Sequence, residues 1–128
     1  MLLANKHDIA SIEKLSYLKE SELSPLIPQL MEWLQDGNWP VALPVSHLLA
    51  KAGDNIIPPL VAVLHGQDDI WKYWCIQLLV KKLPQQQFSM LLKDLVSLAQ
   101  NPTAGEILEE VHIAAAEAIS GFSTDNTF

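Results

Sequence analysis

The stretch Ser24-Pro25-Leu26-Ile27-Pro28-Gln29-Leu30-Met31-Glu32-Trp33-Leu34-Gln35-Asp36-Gly37-Asn38-Trp39-Pro40-Val41-Ala42 decides the fold. Leu26, Ile27, Leu30 and Leu34 recur at the three- and four-residue spacing that puts side chains on one face of an α-helix. Ser24 offers an N-cap, and Pro25 takes the first helical position, where its missing N–H leaves no bond unmade. Gly37 closes this helix. Asn38 can cap the next, whose stripe is Val41, Val45, Leu48, Leu49 and Ala52, with Gly53 as a left-handed stop. Pro44 falls inside that helix or marks a late start.

The unit recurs. Ile27-Pro28 returns as Ile57-Pro58, 30 residues on, and Trp39 returns as Trp71, 32 residues on. A helix from about Asn55 carries Pro58 and Pro59 in its first turn and turns Ile57, Leu60, Val61 and Leu64 inward until Gly66. Asp68 or Asp69 caps the following helix, whose Trp71, Trp74, Cys75, Leu78 and Leu79 form the heaviest apolar face before Pro84. Next come Phe88, Leu91, Leu92, Leu95 and Leu98. The final helix opens with a capping box, Thr103 with Glu106, and continues through Leu108, Val111, Ala115, Ala118 and, past Gly121, Phe122. Upstream, Asp8 caps a helix with Ile9, Ile12 and Leu15 that frays near Glu20.

A helix pair of this kind cannot bury its apolar face alone, so neighbours must stack. The expectation is an all-α chain of stacked antiparallel helix pairs, about six to seven helices in one domain over residues 1–128. Residues 1–22 hold the N-terminal helix, 23–53, 54–84 and 85–122 the three pairs, and 123–128 a loose tail. The third pair is the weakest copy of the repeat, running from Leu91 to Ser120.

Ile27-Pro28, Leu30, Leu34, Asp36 and Val41, followed by Leu48-Leu49, resemble a HEAT unit. The run Glu32-Trp33-Leu34-Gln35-Asp36-Gly37-Asn38-Trp39-Pro40-Val41-Ala42, with Asp69-Ile70-Trp71-Lys72 and Asn101-Pro102-Thr103 behind it, is similar to a small bacterial HEAT-like family of unknown function. The resemblance covers nearly the whole chain. It implies a short right-handed α-α superhelix and brings no activity with it. The units are shorter than the roughly 40 residues usual for HEAT repeats, and Ala42 stands where such a unit usually has arginine.

Composition narrows the function. Fifteen acids against eight bases give a formal charge of −7, and every base is lysine. Arginine is the residue that forks onto phosphates and guanine edges, so a chain without it argues against DNA or RNA as partner. The acid excess equally disfavours anionic membranes, and no run approaches the ~20 apolar residues a span needs. A single cysteine, Cys75, excludes an internal disulfide and fits a cytoplasmic protein.

The turns between paired helices carry the most suggestive chemistry: Asp36, Asn38 and Trp39, then Asp68, Asp69 and Trp71, then Asn101 and Thr103. Stacking would align them along one edge, where carboxylates beside tryptophans could hold a basic peptide by ion pairing and cation–π contact. The plainer account is that Asp, Asn and Thr are preferred N-caps and that tryptophans near helix starts cover the end of the core. Glu106, Glu109 and His112 are spaced like metal ligands, but a carboxylate-bridged di-iron bundle needs two Glu-x-x-His pairs and only one exists. His7, His47, His65 and His112 lie in no zinc-binding spacing, and Ser46-His47 lacks a nucleophile elbow. From Asp94 onward there are six acids and no lysine, either a surface for a basic partner or a solvated face.

The sequence therefore predicts no catalytic residues, metal or cofactor, and a non-enzymatic protein-interaction module, adaptor-like or immunity-type, as a monomer or weak homodimer. The site would be Asp36, Asn38, Trp39, Asp68, Asp69, Trp71 and Asn101, and the partner another, basic protein. The alternative is a small enzyme or ligand binder with a pocket near Trp39, Asp69, Trp71 and Tyr73.

Overall fold

The computed structural model describes residues 2–125, with side chains for residues 2–122, and every regular element among them is helical. The helices are α1 (Ile9–Leu15), α2 (Glu20–Leu23), α3 (Ile27–Met31), α4 (Ala42–Leu49), α5 (Ile57–Leu64), α6 (Asp69–Leu78), α7 (Gln85–Gln100), α8 (Ala104–Leu108) and α9 (Val111–Asp125). Single 3₁₀ turns precede or follow several of them: Ser24–Leu26 and Glu32–Leu34 flank α3, Gly53–Ile56 leads into α5, and Val80–Lys82 follows α6.

α3 meets α4, α5 meets α6, and α7 runs along α9. Between pairs, α3 touches α5 and α5 touches α7, while α4 touches α6 and α6 touches α9. Leu30, Leu34, Val45, Leu49, Leu60, Ile76, Leu79, Leu91, Leu95 and Ala115 fill one continuous core between these elements. The indole N–H of Trp71 donates to the Met31 carbonyl at 2.9 Å, tying the second pair to the first.

Several boundaries differ from expectation, each for a local reason. The first helix is two, because α1 stops at Ser16, whose hydroxyl donates to the Glu13 carbonyl, and a fresh turn begins at Glu20. Ser24 makes no side-chain cap; it is itself the first residue of a 3₁₀ turn, with Pro25 second. Asn38 does not cap α4 either, since Val41 occupies that position, and Pro44 sits in the first turn, where its missing N–H costs nothing. Asp8 and Asp68 do cap, accepting from the backbone N–H groups of Ser11 and Trp71. Gly53 adopts φ 64°, the left-handed stop predicted for it. Gly121 stops nothing and lies inside α9. That helix runs to Asp125, and residues 126–128 of the expected tail lie outside the described residues.

The face of α6 is rotated from the predicted one. Lys72, Cys75 and Ile76 are buried, whereas Trp71, Trp74 and Leu78 are half-buried at its margin. Burial also pushes the Cys75 thiol up, so it is an inert core group. The last helix is broken into α8 and α9 by Glu110, which has φ 61° and is the one non-glycine residue with positive φ among those described. The break turns Leu108 out to 79% exposure, against the inward position predicted for it. Left-handed backbone at a residue with a Cβ costs about 1–2 kcal/mol. Glu110→Gly should therefore raise the free energy of unfolding by ~0.5–1 kcal/mol, read from the urea midpoint; a fall would mean that the glutamate side chain itself holds the elbow.

Candidate functional site

A cleft of about 540 Å³ opens where the α5–α6 turn faces the end of α7 and the start of α8. Its inner wall is an ion-pair cluster. Lys72 Nζ donates to Asp69 Oδ1 and to Glu106 Oε2, each at 2.8 Å, with the Lys72 and Glu106 side chains only 5% and 7% exposed. The other Glu106 oxygen accepts the Thr103 backbone N–H at 2.8 Å while Thr103 Oγ1 accepts the Glu106 N–H at 3.1 Å, the reciprocal capping box read from the sequence. Asp69 reaches so close to Gly105 that a Cβ there would overlap its carboxylate. At the outer end His65 Nε2 lies 2.6 Å from Asp94 Oδ1, an exposed pair.

Charge in the cluster is balanced by opposing effects. Burial alone would raise the Glu106 carboxyl, but hydrogen bonds from Lys72 and from the Thr103 N–H outweigh it and hold the group below the ordinary carboxylate range. Burial alone would lower the Lys72 ammonium, and its bonds to Asp69 and Glu106 outweigh that, so it titrates above an ordinary lysine. Losing the box should be milder than losing the pair: Thr103→Ala is expected to lower stability by ~1 kcal/mol, a drop of a few degrees in Tm by calorimetry.

The predicted turn residues take these positions. Asp36 closes its own turn, accepting the Asn38 N–H at 2.8 Å, and Asn38 is exposed. Trp39 stands edge-on to Trp33 at 5.7 Å, lining an open depression with Leu2 and Ala4. Asp68 is exposed and bound to the Trp71 N–H at 3.0 Å. Asp69 and Asn101 line the cleft together. Gly37 of the first turn rests against the Trp74 ring in the body of α6, where an added Cβ would overlap it, and Asp69 of the second turn meets Gly105 in the first turn of α8.

Trp39, Asp69, Trp71 and Tyr73 do not form one pocket. They line four separate depressions, since Trp71 turns toward Pro28 and Pro59 and Tyr73 packs edge-on against Trp74 on the other side of α6. Glu106, Glu109 and His112 do not share a face either: Glu106 is bound to Lys72, and the break at Glu110 changes the helical register before His112. Among the described residues no group of three or more His, Cys, Asp or Glu side chains is placed to hold a metal ion. No helix is long and apolar enough to cross a membrane among those residues.

Sequence reasoning missed Lys72 as a site residue. Its signal was present, since Lys72 falls on the Cys75, Ile76 and Leu79 stripe at intervals of three, four and seven. A lysine on an apolar stripe demands a buried partner, and Glu106, read as a cap and weighed as a metal ligand, is that partner. No curated protein matches the chain. A family model described as a domain of unknown function (DUF5071) matches residues 1–119, and the chain belongs to that family.

Proposed function

We propose that the chain is a non-enzymatic protein-interaction module, a short right-handed HEAT-like stack of helix pairs that receives a basic partner protein along its acidic turn edge. The observation that supports this reading most directly is the contact of the second turn with the third, Asp69 against Gly105, while the first turn leans on α6 through Gly37 against Trp74. Asp36, Asn38, Asp68 and Asn101 are then carried on neighbouring turns, with the formal charge of −7 behind them. The edge works by steering and register more than by strong individual ion pairs, because exposed pairs contribute little each. A cytoplasmic location, a single domain and an adaptor or immunity-type role belong to the same reading.

The cleft favours a ligand binder less. Its strongest charges, Lys72, Asp69 and Glu106, are committed to one another. The test is affinity capture from native-host extract with the parent chain and with Asp36→Lys, Asp68→Lys and Asn101→Lys combined. The reading expects one basic protein that the parent retains at low salt, loses at high salt, and that the triple variant does not retain. Equal recovery by both chains would overturn it.

A further inference from the structure

The break between α8 and α9 builds a surface that the turn edge alone does not explain. Leu108 is 79% exposed and Ile70 48%, and together with Tyr73 and Trp74 they line an open depression of about 300 Å³. Glu109 and Glu110 complete its rim, and neither carboxylate has a partner among the described residues. Trp74 is the same ring that Gly37 rests against, so the depression lies beside the first turn. Two features set it apart from ordinary surface. A leucine is displayed to water beside a half-buried tryptophan, and the backbone that displays it is held in the left-handed region at Glu110, at a cost of about 1–2 kcal/mol. Strain of that kind persists only where the surroundings enforce it and is concentrated at sites that bind.

From this geometry we infer that the α8–α9 elbow is an apolar anchor point for a peptide segment of a partner protein, one that carries a bulky apolar side chain flanked by lysine or arginine. The inference rests on the interaction-module reading and names the feature of the partner that it recognises. Charge selects this occupant. A second copy docked about a two-fold axis would set Glu109 and Glu110 against themselves, and an anionic lipid surface would face the same carboxylates. A basic segment pairs both glutamates while its apolar residue covers Leu108 and Ile70.

The probe is a synthetic peptide with leucine and phenylalanine between lysine pairs, titrated into the full chain and followed by ¹⁵N amide shifts and by fluorescence anisotropy. Its controls carry glutamates for the lysines, or serines for the apolar pair. The elbow predicts shifts centred on Ile70, Tyr73, Trp74 and residues 107–111, and binding roughly tenfold tighter than either control. Leu108→Ser, at a side chain that the fold leaves exposed, should weaken the peptide about tenfold while circular dichroism stays unchanged. Glu109→Gln with Glu110→Gln should weaken it several-fold and flatten its salt dependence.

Equal binding of the controls, or binding indifferent to Leu108→Ser, overturns the elbow. Shifts confined to the turns at Asp36, Asp68 and Asn101 overturn the elbow and leave the edge reading standing. Elbow binding that survives intact while the Asp36, Asp68 and Asn101 triple variant captures its partner as well as the parent does would remove the edge and keep the anchor. A concentration-dependent dimer dispersed by Leu108→Ser would give the surface to a second copy and overturn the peptide.

Discussion

Lys72→Met should lower the free energy of unfolding by about 3–5 kcal/mol at neutral pH, because it strands the Glu106 carboxylate in the core with its cationic partner gone. Asp69 suffers less, being partly open to solvent at the mouth of the cleft. Lys72→Met with Glu106→Gln should recover most of the loss, to within ~1 kcal/mol of the parent, since both charges leave together and the amide oxygen introduced by Glu106→Gln can still accept the Thr103 N–H. Chemical denaturation measures both. A loss below about 1 kcal/mol for Lys72→Met would mean that the pair is hydrated in solution.

The same pair gives a pH signature with a definite sign. Glu106 titrates below its ordinary value of 4.5 when folded, so its contribution is present above that pH and is lost as pH falls through the folded value. Lys72 titrates above its ordinary value of 10.5 when folded, so its contribution is present below that pH and is lost as pH rises through the folded value. Around neutrality both are fully present. Without Lys72 the Glu106 carboxyl moves up, because burial is then opposed by the Thr103 hydrogen bonds alone. Protonation then relieves the Lys72→Met variant as pH falls, and the gap between variant and parent should narrow from pH 7 towards about pH 4.

Helix content and three of the caps were legible because each is a short-range matter. Asp8, Asp68 and Thr103 reach N–H groups three residues away, and Pro58 and Gly53 act on their own backbone. What resisted reading depends on residues distant in the chain. Lys72 and Glu106 are 34 residues apart, and nothing local tells a lysine on an apolar stripe which carboxylate will meet it. The rotation of α6 follows from that pair: with Lys72 inward, Trp71 and Trp74 move to the margins, where one ties to Met31 and the other rests on Gly37. The elbow was hidden for the opposite reason. Leu108 keeps helical spacing with Val111 and Ala115, so periodicity carries the helix straight through Glu110. The capping box fixes where α8 begins, but the register of α9 is set by its packing along α7 and α6. The chain reconciles the two with one left-handed residue.

Gly37 shows how a correct residue can be read for the wrong reason, and its replacement should be the second most damaging change. A glycine after a helix suggests a left-handed stop, yet Gly37 is not among the positive-φ residues. Its role is space: an added Cβ would overlap the six-membered ring of Trp74, itself held edge-on by Tyr73 at 5.1 Å. Two effects then compete in Gly37→Ala. The smaller unfolded-state entropy of alanine favours folding by about 0.4–1 kcal/mol. Overpacking against a ring that cannot swing freely opposes it by about 1–3 kcal/mol. The second wins, with a net loss of ~1–2 kcal/mol and the first turn pushed off α6. Trp74→Leu removes the obstructing ring, so the double variant should be destabilised by at least ~1 kcal/mol less than the two single losses combined. Additive losses would show that the two residues do not touch in solution, and the contact that joins the first turn to α6 would fall with them.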